Sequence, residues 1–113
     1  MRPTGLDALV KLQSASGAWD LDDAFSLVIG HSVDDLRHAM PNAYAAREAL
    51  VRAWATVVAI AWLERYAAAQ EREWRVLAIK ARRWLDGQFA DTPLEAATWM
   101  EAARAWLRSL IPF

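Results

Sequence analysis

The sequence predicts an all-α fold, a single compact bundle of five to six helices around a long central helix. Three observations support this prediction. Apolar residues recur at helical spacing from end to end, and runs typical of strands are nearly absent. The four glycines and four prolines fall between these runs as breaks. Alanines supply 24 of the hydrophobic residues, and alanine lets helices approach one another closely.

Length and composition exclude several classes of protein. A chain of 113 residues suits one domain, so we predict one helical domain over residues 1–113. Without cysteine it has neither disulfides nor a thiolate metal site. Its net charge of −1 disfavours a general nucleic-acid binder. The longest apolar run, Ala53–Leu63, is shorter than the roughly 20 residues of a membrane span. With no signal peptide visible, we expect a soluble, cytoplasmic domain without cofactor or metal.

The first helix is predicted to begin at a Thr4 cap and to end near Gln13. A turn follows, in which Gly17 is the residue expected to have a positive φ. Trp19 comes directly after this turn. We interpret the segment as a structural corner because it contains no phosphate-binding or nucleophile motif.

Two short helices come next. Asp20 is predicted to cap the second, with Asp23 at its third position, and Gly30 ends it. Ser32 is predicted to start the third helix and Pro41 to stop it.

The fourth helix is predicted over about 43–69. It is apolar on every side between Ala53 and Leu63, a pattern typical of a helix surrounded by others. We therefore predict that this helix is central.

The last two helices are amphipathic. The fifth is predicted from about Glu71 to Leu85, with Gly87 as the C-cap position. The sixth has Thr92 as cap and Pro93 at its first position, and Pro112 ends it. Its apolar stripe can pack within the chain or against a second copy, so both arrangements stay open.

The acidic segment with nearby histidines, Asp20–His31, is one candidate for chemistry. Clustered carboxylates such as Asp20, Asp22 and Asp23 can bind a hard cation. The spacing does not match an EF-hand, and His31 has no nucleophile beside it except cap residues. We therefore favour helix capping, with a small enzyme or metal-binding domain as the alternative. The expectation is that the chain is not an enzyme.

A basic face is predicted on the fifth helix over Arg72–Arg83. It includes Arg72, Arg75 and Arg83, partly offset by Glu71 and Glu73. Such a face is most often simply solvated, but it can contact a partner protein. A nucleic-acid-associated module that uses the same face is the alternative.

The seven tryptophans are the most unusual feature of the composition. Most have core spacing, yet tryptophan and arginine are also enriched at binding hot spots. We take Trp99 and Trp106 as candidate protein contacts, together with Arg72, Arg75 and Arg83.

Three segments in order resemble a known family. Residues 9–21 (LVKLQSASGAWDL), 54–64 (WATVVAIAWLE) and 80–85 (KARRWL) are similar to the C-terminal helical domain of proteins with a VIT domain and a von Willebrand factor A domain. The same domain occurs at the C-terminus of the vault poly(ADP-ribose) polymerase. The resemblance covers roughly residues 6–86.

The resemblance implies a protein-interaction or targeting module. In the vault polymerase the corresponding region binds the major vault protein, so this or a similar shell protein is the partner that the resemblance implies. The VIT and von Willebrand domains are absent from the sequence, which leaves open an excised fragment or a small stand-alone adaptor.

Overall fold

The computed structural model describes residues 4–41, 48–90 and 93–109. Six α-helices follow one another in this part of the chain, which contains no strand, so the predicted all-α bundle is confirmed. Their bounds are α1 Leu6–Leu12, α2 Asp23–Ile29, α3 Val33–Ala39, α4 Glu48–Tyr66, α5 Glu71–Gln88 and α6 Pro93–Ser109. A single 3₁₀ turn, Ala68–Gln70, joins α4 to α5.

Helix α4 lies at the centre of the bundle, as predicted. Every residue from Ala53 to Leu63 is buried, because other elements cover the helix on all sides. Helices α5 and α6 pack along it. From α3, the Leu36 carbonyl accepts a hydrogen bond of 2.7 Å from the Trp54 indole N–H. Trp99 of α6 meets Trp54 edge-on, with ring centroids 6.1 Å apart.

A corner at residues 13–19 ties α1 to α4 and α5. Gly17 has a φ of 101°, as predicted. The Trp19 backbone N–H donates to Thr56 Oγ1 of α4, at 3.0 Å, and its indole N–H donates to the Leu9 carbonyl of α1, at 2.9 Å. Gln13 Nε2 donates to the Leu77 carbonyl of α5, also at 2.9 Å. Each polar group of the buried corner named here therefore has a partner.

The helix starts differ from the prediction at two positions. Helix α1 has Gly5, with a φ of 97°, at its N-cap instead of Thr4. Helix α2 is capped by Asp22, whose side chain accepts from the Phe25 N–H at 2.9 Å. Asp20 accepts a hydrogen bond from Arg52 instead, at 2.8 Å, so its carboxylate is used in an ion pair with α4.

Gly30 and Ser32 have their predicted roles at the ends of α2 and α3, whereas α4 ends earlier than predicted. Gly30 ends α2 in a left-handed conformation, and the Ser32 side chain caps α3. Helix α4 ends at Tyr66, three residues before the predicted Ala69. Here the Ala67 carbonyl accepts from the Trp74 indole at 2.8 Å, which fixes the link to α5. The predicted start of α4 at 43 and the predicted roles of Thr92 and Pro112 lie outside the described residues.

Gly87 is not a C-cap, contrary to the prediction. Helix α5 continues through it to Gln88, and Phe89 occupies the C-cap. Phe89 is buried, and its ring lies 5.5 Å from that of Trp99. The extra residues of helix bring this aromatic side chain into the core, which explains why the glycine does not end α5.

Two substitutions test the different roles of Gly17, in the corner, and Gly87, inside α5. A Cβ at Gly17 would lie 2.7 Å from the Lys80 carbonyl oxygen, and its φ of 101° is unfavourable for any L side chain. We expect Gly17→Ala to lower the free energy of unfolding by about 2–3 kcal/mol. Gly87 lies in a helix, and a Cβ at this position would have open space within 4 Å on its outer side. Gly87→Ala should therefore raise stability by about 0.5–1 kcal/mol.

Urea denaturation followed by circular dichroism measures both changes. Destabilisation by Gly87→Ala would show that this residue needs a positive φ, as a C-cap would. A Gly17→Ala protein as stable as the original chain would contradict the close packing of the corner on α5.

Candidate protein-interaction surface

One side of α5 faces solvent while the other forms part of the core. The buried stripe is made by Trp74, Ala78, Ala81 and Leu85. On the opposite side, positions 72, 76, 79 and 83 follow one another at spacings of four, three and four residues, so they share one face of the helix. We call Arg72, Val76, Ile79 and Arg83 the α5 outer face.

The centre of the α5 outer face is apolar. Val76 is 72% exposed and Ile79 is 45% exposed. One turn separates them, so their side chains form a single patch. Isolated exposed apolar residues are common on proteins, but an adjacent pair between charged residues is typical of a contact surface.

The cations around this patch fall into two groups. Arg72 and Arg83, at its two ends, are exposed and make no ion pair or hydrogen bond within the described part of the chain, and the same is true of Lys80. Arg75 is paired with Glu71 at 2.7 Å, one turn away. Of the three arginines predicted to contact a partner, Arg72 and Arg83 therefore have free guanidinium groups, whereas Arg75 is already partly neutralised.

The two tryptophans predicted as candidate contacts, Trp99 and Trp106, differ in their exposure. Trp99 is 1% exposed and packs between Trp54 and Phe89, which removes it from the accessible surface. Trp106 is only partly buried. It packs edge-on against His31, with ring centroids 5.3 Å apart, and helps to line a shallow groove with His38.

The polar side chains of the acidic segment Asp20–His31 make separate contacts in the structure. Asp20 is paired with Arg52, and Asp22 caps α2. His31 faces Trp106. Within residues 4–41, 48–90 and 93–109, no three His, Cys, Asp or Glu side chains come together in a way that could hold a metal ion.

Glu64 joins the three long helices. Its carboxylate accepts hydrogen bonds from Arg104 of α6, at 3.1 and 3.2 Å, and from Arg82 of α5, at 3.1 Å. Arg104 also donates to Glu101. The hydrogen bond to Glu64 is the main cause that raises the pKa of Arg104 above its ordinary value. Arg82 is thereby drawn toward the bundle and away from the α5 outer face.

Sequence reasoning found the charges of this surface but missed its apolar centre. The signal was present, because Val76 and Ile79 are out of register with the stripe of Trp74, Ala78 and Ala81. Glu64 was also missed as an anchor, since its partners Arg82 and Arg104 are distant in sequence.

Comparison with known proteins shows a relation to much longer chains. The chain is 35% identical to the mouse von Willebrand factor A domain-containing protein 5A over 77 residues, which is 68% of this chain and 9% of the relative. The human 5A protein is 28% identical over 103 residues, 91% of this chain and 12% of the relative. The human 5B1 protein is 43% identical over 51 residues, 45% of this chain and 4% of the relative.

The chain is related to a segment of these von Willebrand factor A domain-containing proteins. It spans about a tenth of the length of the 5A proteins. No family model and no solved structure matches it. In the part of the chain that the structure describes, no helix is long and apolar enough to cross a membrane.

Removing the Glu64 carboxylate tests the link between the long helices. We expect Glu64→Gln to lower the free energy of unfolding by about 1 kcal/mol, because two arginines lose a charged acceptor that is 29% exposed. Glu71→Gln, which removes the exposed pair with Arg75 and one negative charge in the first turn of α5, is the control and should cost about 0.5 kcal/mol. Urea denaturation at low salt measures both, and equal losses would contradict the anchoring role of Glu64.

Proposed function

We propose that this chain is a non-catalytic protein-interaction module that binds a partner protein through the α5 outer face. The observation that carries the proposal is the pair of exposed apolar side chains, Val76 and Ile79, between the free cations Arg72 and Arg83. Apolar residues in the middle of a contact are dehydrated on binding, while charged residues at the rim select and orient the partner.

The relation to von Willebrand factor A domain-containing proteins supports a role in assembly with other proteins. The choice of partner rests on the resemblance of the sequence to the C-terminal region of the vault polymerase. We propose that the chain binds the major vault protein, or a similar shell protein, in the cytoplasm.

The non-catalytic role is supported by what the polar groups of the alternative site already do. The Asp22 carboxylate accepts from the backbone of its own helix, and Asp20 neutralises Arg52. His38 Nδ1 lies 2.7 Å from the Asp34 carbonyl oxygen, one helical turn away. These contacts stabilise helix ends and an ion pair, so the groups have structural roles without any substrate.

The α5 outer face also favours a protein over the nucleic-acid alternative. A nucleic-acid surface gains its affinity from many cations that contact phosphates. Here the middle of the face is apolar, Arg75 and Arg82 are paired with carboxylates, and the chain has a net charge of −1.

Binding of the purified 113-residue chain to purified major vault protein tests this proposal. We expect the double variant Arg72→Glu/Arg83→Glu to bind at least about tenfold more weakly, because two rim cations would be replaced by charges that repel an acidic partner surface. The matched control is Arg37→Glu/Arg108→Glu, which reverses two exposed arginines on α3 and α6. It should bind like the original chain in biolayer interferometry.

Two results would count against the proposal. Equal affinities of the two double variants would show that the contact lies elsewhere on the chain. A folded original chain that does not bind the major vault protein at micromolar concentration would exclude this partner.

A further inference from the structure

Resting on the interaction role proposed above, we infer that the partner element recognised by the α5 outer face is an acidic amphipathic helix. This helix would lie along α5, place apolar side chains on Val76 and Ile79, and direct carboxylates to Arg72 and Arg83 at the two ends. The proposed partner element is therefore defined by its charge and by its secondary structure.

The spacing of the α5 outer face suits a helix. Arg72 and Arg83 are three turns apart, which is about 16 Å along the axis. Two helices that pack at a small crossing angle stay in contact over about this length, with side chains meeting every three or four residues. A peptide that binds by strand addition would need free backbone groups with which to pair, and the interior of α5 has none to offer.

The charges on this face favour an acidic partner. Arg72, Lys80 and Arg83 make no ion pair within the described part of the chain. Arg75 and Arg82 are paired with Glu71 and Glu64. The exposed Asp86 lies one turn beyond Arg83, so the three unpaired cations outnumber this carboxylate on the outer part of α5. Complementary carboxylates on the partner would raise the association rate and fix its register.

The α5 outer face is also firmly held from behind. The Trp74 indole donates to the Ala67 carbonyl, and the Leu77 carbonyl accepts from Gln13. Gly17 packs directly on the Lys80 backbone. A helix fixed in this way needs no rearrangement of its backbone on binding, which favours a preformed docking surface.

A synthetic peptide of about 20 residues provides the probe. It carries leucines at helical spacing on one face and glutamates on either side of them. A second peptide has lysines in place of the glutamates, and a third keeps the acidic composition but distributes the leucines around the helix. Fluorescence anisotropy with the full chain should show binding of the first peptide, at least about tenfold weaker binding of the third, and none of the second.

Variants of the chain locate the contact. Arg72→Glu/Arg83→Glu should lose at least about tenfold in affinity for the acidic peptide and gain binding of the lysine peptide, because the charges are exchanged. Val76→Asn/Ile79→Asn should weaken the acidic peptide by about tenfold while the far-ultraviolet circular dichroism stays unchanged. The control Arg37→Glu/Arg108→Glu should bind the acidic peptide as the original chain does.

Three outcomes would overturn the inference. Equal binding of the first and third peptides would mean that the face recognises acidic charge without an apolar stripe. Displacement of the acidic peptide by single-stranded DNA, at lower concentration than the peptide itself requires, would assign the face to nucleic acid. A dimer of the free chain in sedimentation experiments, abolished by Val76→Asn/Ile79→Asn, would assign it to a second copy.

The experiment also separates this inference from the interaction role on which it depends. If the chain binds the major vault protein through Arg72 and Arg83 but ignores the acidic peptide, the interaction role stands and the helical partner element is excluded. If the chain binds the acidic peptide but not the major vault protein, the partner element is supported and that particular partner is excluded.

Discussion

The packing of the 13–19 corner against α5 is the constraint on which the rest of the structure depends. Gly17 leaves no room for a side chain because the Lys80 backbone is in contact with it. The corner then inserts Trp19 beside α4, where both of its N–H groups are satisfied by Thr56 and Leu9. Since Lys80 belongs to α5, this one contact fixes α1 and α5 on the same central helix. It also determines which side of α5 remains outside.

The tryptophan excess follows from the burial of α4. A helix that is apolar on all sides needs a complete cover, and small alanines alone would leave gaps between the helices. Large indoles fill these gaps, but each brings an N–H group that must be paired when buried. Backbone carbonyls serve this purpose for Trp19, Trp54 and Trp74. These carbonyls belong to α1, α3 and the link before α5, so the tryptophans also join elements that are separate in sequence.

The sequence allowed prediction of the fold class, the central helix and the glycine corner because these depend on local spacing and on one apolar segment. Positions that depend on contacts between distant segments were harder to predict. Trp99 and Trp106 both lie on the apolar stripe of α6, yet only the three-dimensional packing buries the first and leaves the second beside His31. Gly87 likewise resembles a helix end until the burial of Phe89 is known. The charges of the candidate surface were predicted. Its apolar centre was missed, although the positions of Val76 and Ile79 outside the buried stripe of α5 were a signal for it.

Val76 and Ile79 are not the residues that helix formation and burial alone would favour at their positions. Both are β-branched, and such residues form helix less readily than alanine because the backbone restricts their χ1 rotamers. Val76 is 72% exposed and Ile79 is 45% exposed, so both leave much apolar area uncovered within the described part of the chain. Alanine, which this chain uses 24 times, would serve the helix better at both positions. The fold therefore leaves much of the apolar surface of both side chains uncovered on the outer side of α5, and a docked apolar surface would cover it.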